Sequence, residues 1–292
     1  MTILNAASDG LHAELIALAR AAAHSGSIEK EELINLCMPG TVQRLRGALS
    51  RWTDLGLFVE TDGSVDLAEQ FARKRGETLD DWTDRLPGFC RTLVLGSSKC
   101  SPLWGEDEGV SADIVRAMAW LLAQDIFSFP TTWLEVEALE RAQFRHGKII
   151  QNDTRWTALR FWTRYLGFAT GDSRSFLVDP TAAITAEIQH VSKDGTLVEA
   201  ETFVHELAKR LPVLDFGAYR KEIEGRLTLA SWHRPPVGHL SISFSFGLRR
   251  LELDNRIALE SKADAPGGLS LTGKDHQNLR SFTHVRIVHG TK

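Results

Sequence analysis

The segment Ala48-Leu49-Ser50-Arg51-Trp52-Thr53-Asp54-Leu55-Gly56-Leu57-Phe58 returns 110 positions later as Ala158-Leu159-Arg160-Phe161-Trp162-Thr163-Arg164-Tyr165-Leu166-Gly167-Phe168. Each copy predicts a helix that stops at a glycine and leads into two short strands around a tight turn. That order matches the third helix and wing of a winged helix-turn-helix. A repeated unit restricts the fold to tandem modules and favours binding over chemistry.

Around the first copy, Leu11, Leu15, Leu18 and Ala22 recur at helical spacing until Ser25-Gly26. Ser27 is placed to cap a second helix with Leu33, Ile34 and Leu36 on its apolar face, and Pro39-Gly40 breaks it. The third helix is expected over 41–55, with Val42, Leu45, Leu49 and Trp52 on one face. Gly56 suits a left-handed helix stop, because it has no Cβ to clash. Residues 57–60 and 64–67 alternate like strands about an Asp62-Gly63 turn. Residues 73–109 read as a connector carrying a helix or two.

The second copy has the same surroundings. Ser111 is placed to cap a helix with Ile114, Met118, Leu121 and Leu122 inward, and Pro130 stops it. Thr132 and Glu135 fit a capping box. The third helix is expected over 153–166, with Trp156, Leu159 and Trp162 facing inward. Residues 168–169 and 175–178 flank Gly171-Asp172 as a second ribbon.

A weaker third copy follows helices expected over 202–211 and 216–227. Leu248, Leu251 and Ile257 take the places of Leu49, Trp52 and Phe58, and Asn255 replaces Gly56. Its wing is expected over 257–261 and 269–272 around Pro266-Gly267-Gly268, with a last strand over 282–288. Against the helix, residues 240–246 alternate with period two, which argues for a strand. The expected fold is mainly α with small β wings: tandem winged helices over 1–76, 111–190 and 191–292, with a connector over 77–110.

Residue chemistry argues against an enzyme. Cys37, Cys90 and Cys100 form no CxxC pair and suit a reducing compartment. His284 and His289 would face opposite sides of a strand and its end. Glu135, Glu137 and Glu140 share a helix without a histidine motif. Ser97-Ser98 lacks a nucleophile-elbow pattern, and neither GxxxxGK[ST] nor GxGxxG occurs. No catalytic residue, metal or cofactor is therefore expected. Without a signal-peptide pattern at its start or an uninterrupted apolar span, the chain is expected in the cytoplasm.

Charge points to the repeated helices. The chain carries −4 overall, yet windows 41–55, 148–168 and 241–257 carry +2, +3 and +1, leaving −10 elsewhere. Basic islands in an acidic chain favour electrostatic docking on duplex DNA. In the first island Gln43, Arg44, Gly47, Ser50 and Arg51 form the outward face, with Arg46 beside it. Glutamine and arginine can pair with adenine and guanine edges, and Gly47 permits close approach. Lys148, Arg155, Arg160 and Arg164 are the candidates in the second island, and Arg249 and Arg250 in the third. Phe161 and Tyr165 point away from the inward tryptophans, beside Arg160 and Arg164, and suit a protein-partner interface.

The opening residues from Ile3 to Leu11, the Leu45-Arg46-Gly47-Ala48-Leu49-Ser50-Arg51-Trp52 helix, Leu248-Arg249-Arg250-Leu251-Glu252 and Ser281-Phe282-Thr283-His284-Val285 resemble the DpdG family. This family belongs to bacterial gene clusters that insert 7-deazaguanine bases into DNA and restrict unmodified DNA. The resemblance implies a non-catalytic accessory subunit working on double-stranded DNA with nuclease, helicase or ATPase subunits in phage defence. It supplies no catalytic residues. An interaction scaffold without DNA contact and a transcriptional regulator are the alternatives, and a regulator would normally have a dimerisation helix.

Overall fold

The computed structural model describes residues 3–5, 12–37, 41–145, 147–172, 175–192, 195–262 and 268–288. Leu11, Pro39-Gly40, Pro266-Gly267 and His289, used in the sequence reading, lie outside them. The fold is mainly helical with small antiparallel sheets. Its first elements are α1 (Ala13–Ser25), β1 (Ile28–Glu29), α2 (Lys30–Leu36), α3 (Val42–Leu55), β2 (Phe58–Thr61), β3 (Ser64–Leu67), α4 (Leu79–Leu95) and α5 (Ser97–Cys100). There follow α6 (Ala112–Leu122), α7 (Trp133–Gln143), α8 (Asp153–Tyr165), β4 (Ala169–Gly171) and β5 (Phe176–Val178). The remainder is α9 (Thr181–Val191), β6 (Leu197–Glu199), α10 (Ala200–Arg210), α11 (Ala218–Glu224), α12 (Ile242–Leu253), β7 (Ile257–Glu260), β8 (Leu269–Thr272), β9 (Asn278–Phe282) and β10 (His284–Ile287).

Contacts divide the chain into two compact units. One holds Met1–Val115 with Asp153–Leu166, and the other holds Arg116–Asn152 with Gly167–Lys292. This grouping differs from module boundaries at 76, 110 and 190. Helix α8 groups with the first unit, and the β4–β5 ribbon after it groups with the second.

In the first unit α1 packs on α2, α3, α4 and β3 through Leu15, Leu18, Ala19 and Ala22. Gly56 closes α3 in the left-handed conformation (φ 98°), and its N–H donates to the Trp52 carbonyl at 3.1 Å. The β2–β3 hairpin turns at Asp62 and Gly63, both with positive φ. The two-residue strand β1 was invisible in the sequence. It pairs with β3, giving the order β1-β3-β2. Trp52 and Trp162, the anchors of the two repeated helices, are both buried, and their ring centroids lie 5.6 Å apart. An indole side chain buries roughly 150–250 Å², so this pair is a major part of the unit's core.

In the second unit α9 packs on α10 and α12. Strand β10 lies between β6 and β7, giving the order β6-β10-β7, while β8 and β9 form a separate hairpin. This corrects the third wing: β7 pairs with β10, not with the strand at 269–272. The strand expected over 282–288 is divided between the end of β9 and β10.

The alternating segment 240–246 is helix from Ile242 onward rather than strand. Ser241 caps α12 by accepting from the Phe244 N–H at 3.3 Å. The period of two misleads because both of its phases are buried. Ser243 donates to the Leu122 carbonyl at 2.5 Å, and Ser245 accepts from the Thr272 N–H at 2.9 Å. The small polar residues are satisfied inside the core and do not mark a solvent face.

Three local expectations change. Glu29, not Ser27, caps α2 by accepting from the Glu32 N–H at 2.8 Å. Thr132 spends its hydroxyl on the Glu135 carboxylate instead of a backbone donor, so the capping box does not form. Leu36 and Val42, expected inward, are exposed.

Candidate nucleic-acid interface

Helix α3 presents Gln43, Arg44, Arg46 and Ser50 to solvent. Its inward stripe of Leu45, Ala48, Leu49, Trp52 and Leu55 fixes that face by helical periodicity. Arg51 departs from expectation: it is only 4% exposed. Seven residues make almost two turns, so Arg44 and Arg51 share a face. The first turn of that face is open, and the turns holding Arg51 and Leu55 are covered.

The open arginines have acidic neighbours. Arg46 donates to both oxygens of Glu31 at 2.9 and 2.8 Å, and Arg44 lies 3.9 Å from Glu14. Exposed pairs of this kind contribute about 0–1 kcal/mol each and can exchange a carboxylate for a phosphate. The α3 face is thus a set of donors held by replaceable partners.

Helix α8 differs. Arg155, Arg160 and Arg164 are half-buried. The Arg160 guanidinium lies 5.9 Å from the Trp156 ring centroid and that of Arg164 lies 4.9 Å from Phe161. Arg164 also donates from Nε to the Arg160 carbonyl at 3.1 Å. Phe161 is half-buried beneath its cation. Tyr165, expected as an exposed partner contact, instead turns inward. Its ring stacks on His12 at 4.4 Å and meets Trp162 edge-on at 5.8 Å. Burial, with nearby Cys90, pushes the Tyr165 hydroxyl well above the usual phenol range. Burial, then the Arg164 charge, lowers the His12 pKa.

The remaining candidates lie in the second unit. Lys148 donates to Glu137 at 2.7 Å, and Arg141 lies 3.3 Å from the same carboxylate, which the Lys148 hydrogen bond holds below the usual range. Arg249 donates to Glu252 at 2.6 Å, and Arg280 reaches that carboxylate at 2.9 Å. Arg250 donates to the buried Asp179, whose Oδ1 accepts from the Thr181 N–H at the start of α9 at 3.0 Å. That contact ties α12 to α9 within one core. The structure thus leaves Gln43, Arg44, Arg46 and Ser50 open, with Gln43, Arg46 and Ser50 on one face and Arg44 on the flank it shares with Arg51, and it buries Arg51 and packs Tyr165 against His12 and Trp162.

Sequence spacing missed a cavity of about 600 Å³ in the second unit, lined by Asp125, Glu135, Trp232, His233 and His276 among others. The imidazoles of His233 and His276 are 4.0 Å apart between centroids although 43 residues separate them. No short-range pattern records such a meeting. Among the described residues no group of three or more His, Cys, Asp or Glu is placed to hold a metal ion, and no helix is long and apolar enough to cross a membrane.

A protein-family model described as DpdG-like matches residues 1–265. Comparison with the curated proteins and with the solved structures gave no match.

Proposed function

Because the chain belongs to the DpdG-like family, we propose that it is a non-catalytic subunit of a bacterial DNA modification and restriction system, built from tandem winged helices and acting on double-stranded DNA. The observation that supports the modules best is a repeated topology. The order α1-β1-α2-α3-β2-β3 with sheet order β1-β3-β2 supports a winged-helix reading. It recurs as α9-β6-α10-α12-β7-β10 with sheet order β6-β10-β7, interrupted by α11 and the β8–β9 hairpin. On this reading the third module starts at α9 rather than at residue 191.

In such modules the third helix enters the major groove and the neighbouring segments hold phosphates. The open face of α3 suits that role. Gln43 and Ser50 offer hydrogen-bonding groups to base edges, and Arg44 and Arg46 are within reach of phosphates or guanine edges. No cofactor is required.

Binding of the full chain to labelled duplex, followed by fluorescence anisotropy at several salt concentrations, tests the reading. Two phosphate contacts give a slope of about −1.8 in log K against log salt. Arg44→Glu with Arg46→Glu should abolish binding, and no binding by the wild type even at low salt would refute DNA contact.

A second reading, a scaffold that binds other subunits, has one specific support. Phe161 and Arg164 form a half-exposed aromatic–cation pair on α8 of the kind enriched in protein interfaces. Phe161→Ala should then release a partner subunit in pull-down, and undiminished capture would remove α8 from that interface.

A further inference from the structure

We propose that the cavity between α6, α7 and the 229–233 segment is a binding site for an organic cation, a guanidinium or a primary ammonium. The proposal stands independently of DNA contact. Two neighbouring spaces make the site: the cavity of about 600 Å³ and an inner pocket of about 60 Å³ that shares Asp125, His233 and His276 with it as lining. The larger space falls in the range of small-ligand sites. A single water needs only about 10–15 Å³, so the inner pocket has room for a charged head.

Charge selects the ligand. Among the described residues lining the two spaces there is no lysine or arginine, whereas Asp125 and Glu135 both line the larger one. An anion would meet two carboxylates and no lining lysine or arginine, so phosphates and nucleotides are disfavoured. A cation meets those carboxylates, the two imidazoles and the aromatic ring of Phe129. Arg234, which lines neither space, already lies 5.9 Å from the Trp232 ring centroid, so the carboxylates rather than that ring carry the selection.

Three further features fit a built site. Thr272 is 4% exposed, lines the inner pocket, and its hydroxyl has no hydrogen-bond partner. A buried hydroxyl left unpaired is costly, and an N–H donor from a ligand would satisfy it. Asp275 and His276 are consecutive non-glycine residues in the left-handed region (φ 56° and 59°), a strain that places the His276 ring beside His233. The wall behind is rigid: Gln143 accepts from Trp120 Nε1 at 2.7 Å and donates to Gln124 Oε1 at 2.8 Å.

His276 sets a pH dependence. Burial and the neighbouring His233 lower the His276 pKa, against the raising influence of Asp125 and Asp275. A neutral His276 ring can accept from a cation, and a protonated one would repel it, although Asp125, Asp275 and Glu135 offset part of that charge.

Calorimetric titration of the full chain with methylguanidine tests the site, with methylurea as the neutral isostere and inorganic phosphate as the anion. Saturable binding of methylguanidine is expected, with none of methylurea or phosphate. Asp125→Asn should weaken it about tenfold, and acidification far enough to protonate His276 should weaken it in the same direction. Glu135→Gln, on an exposed side chain whose amide can still accept from the Thr132 hydroxyl, should weaken it in the same direction. A capped arginine peptide binding about tenfold more tightly than methylguanidine assigns the cation to a partner polypeptide, and equal affinity assigns it to a small amine. Absence of methylguanidine binding by the wild type, wild-type affinity in both variants, or equal binding of methylurea or phosphate would overturn the proposal.

Discussion

If α3 docks on DNA as proposed, Glu31→Gln should tighten that binding. Glu31 holds Arg46 through both carboxylate oxygens, at 2.9 and 2.8 Å, and each side chain is 54% exposed. An approaching phosphate has to displace that carboxylate before it gains the guanidinium. The cost is the worth of an exposed pair, at most about 1 kcal/mol; both contacts come from one Arg46 nitrogen, so no two-nitrogen fork adds to it. Removing the charge returns that amount to binding, a gain of up to about fivefold in affinity. Folding stability should fall by no more than the same 1 kcal/mol or so, because the pair is exposed. Fluorescence anisotropy on a labelled duplex reads the affinity, and Arg46→Gln is the control. Arg46→Gln should weaken binding and flatten the log K against log salt slope by about 0.9. In the double variant Glu31→Gln should lose its benefit, because no guanidinium remains to release. If the wild type binds but neither single change alters affinity or slope, α3 does not dock through Arg46.

Other outcomes follow from the cores. Trp162→Ala should destabilise the first unit by about 3–5 kcal/mol in chemical denaturation, and pairing it with Trp52→Ala should cost measurably less than the sum because the rings touch. Gly56→Ala forces a Cβ into the left-handed region and should lower stability by about 1–2 kcal/mol, seen as a lower Tm. Glu140 is buried, which raises its pKa, while its Oε1 accepts from the Ile150 N–H at 3.0 Å. Its favourable contribution is present below the ordinary carboxylate range and is lost as pH rises through the raised value. Thermal melts of wild type and Glu140→Gln should therefore differ more in the wild type's favour at acid than at neutral pH, and a constant difference would contradict this.

Much of the first unit was legible because its signals are local. The stop at Gly56, the turn at Asp62-Gly63 and the inward face around Trp52 each depend on residues within a few positions of one another. The open residues Gln43, Arg44, Arg46 and Ser50 follow from the same periodicity. Arg51 does not, since it obeys the helical face it shares with Arg44 and is buried by what covers the later turns. Tyr165 likewise looked outward by spacing, but His12, more than 150 positions away, supplies the surface it stacks on.

By itself the sequence determined where α1, α3 and α8 run and that α3 stops at Gly56, because backbone torsion and side-chain periodicity are properties of neighbouring residues. Only the tertiary structure decided that β10 inserts between β6 and β7, that the alternating 240–246 segment coils into α12, and that His233 meets His276 beside Asp125. Those outcomes turn on which distant surfaces cover which faces. A strand edge can satisfy its hydrogen bonds with any compatible partner, and a buried face tolerates serine once another segment supplies an acceptor.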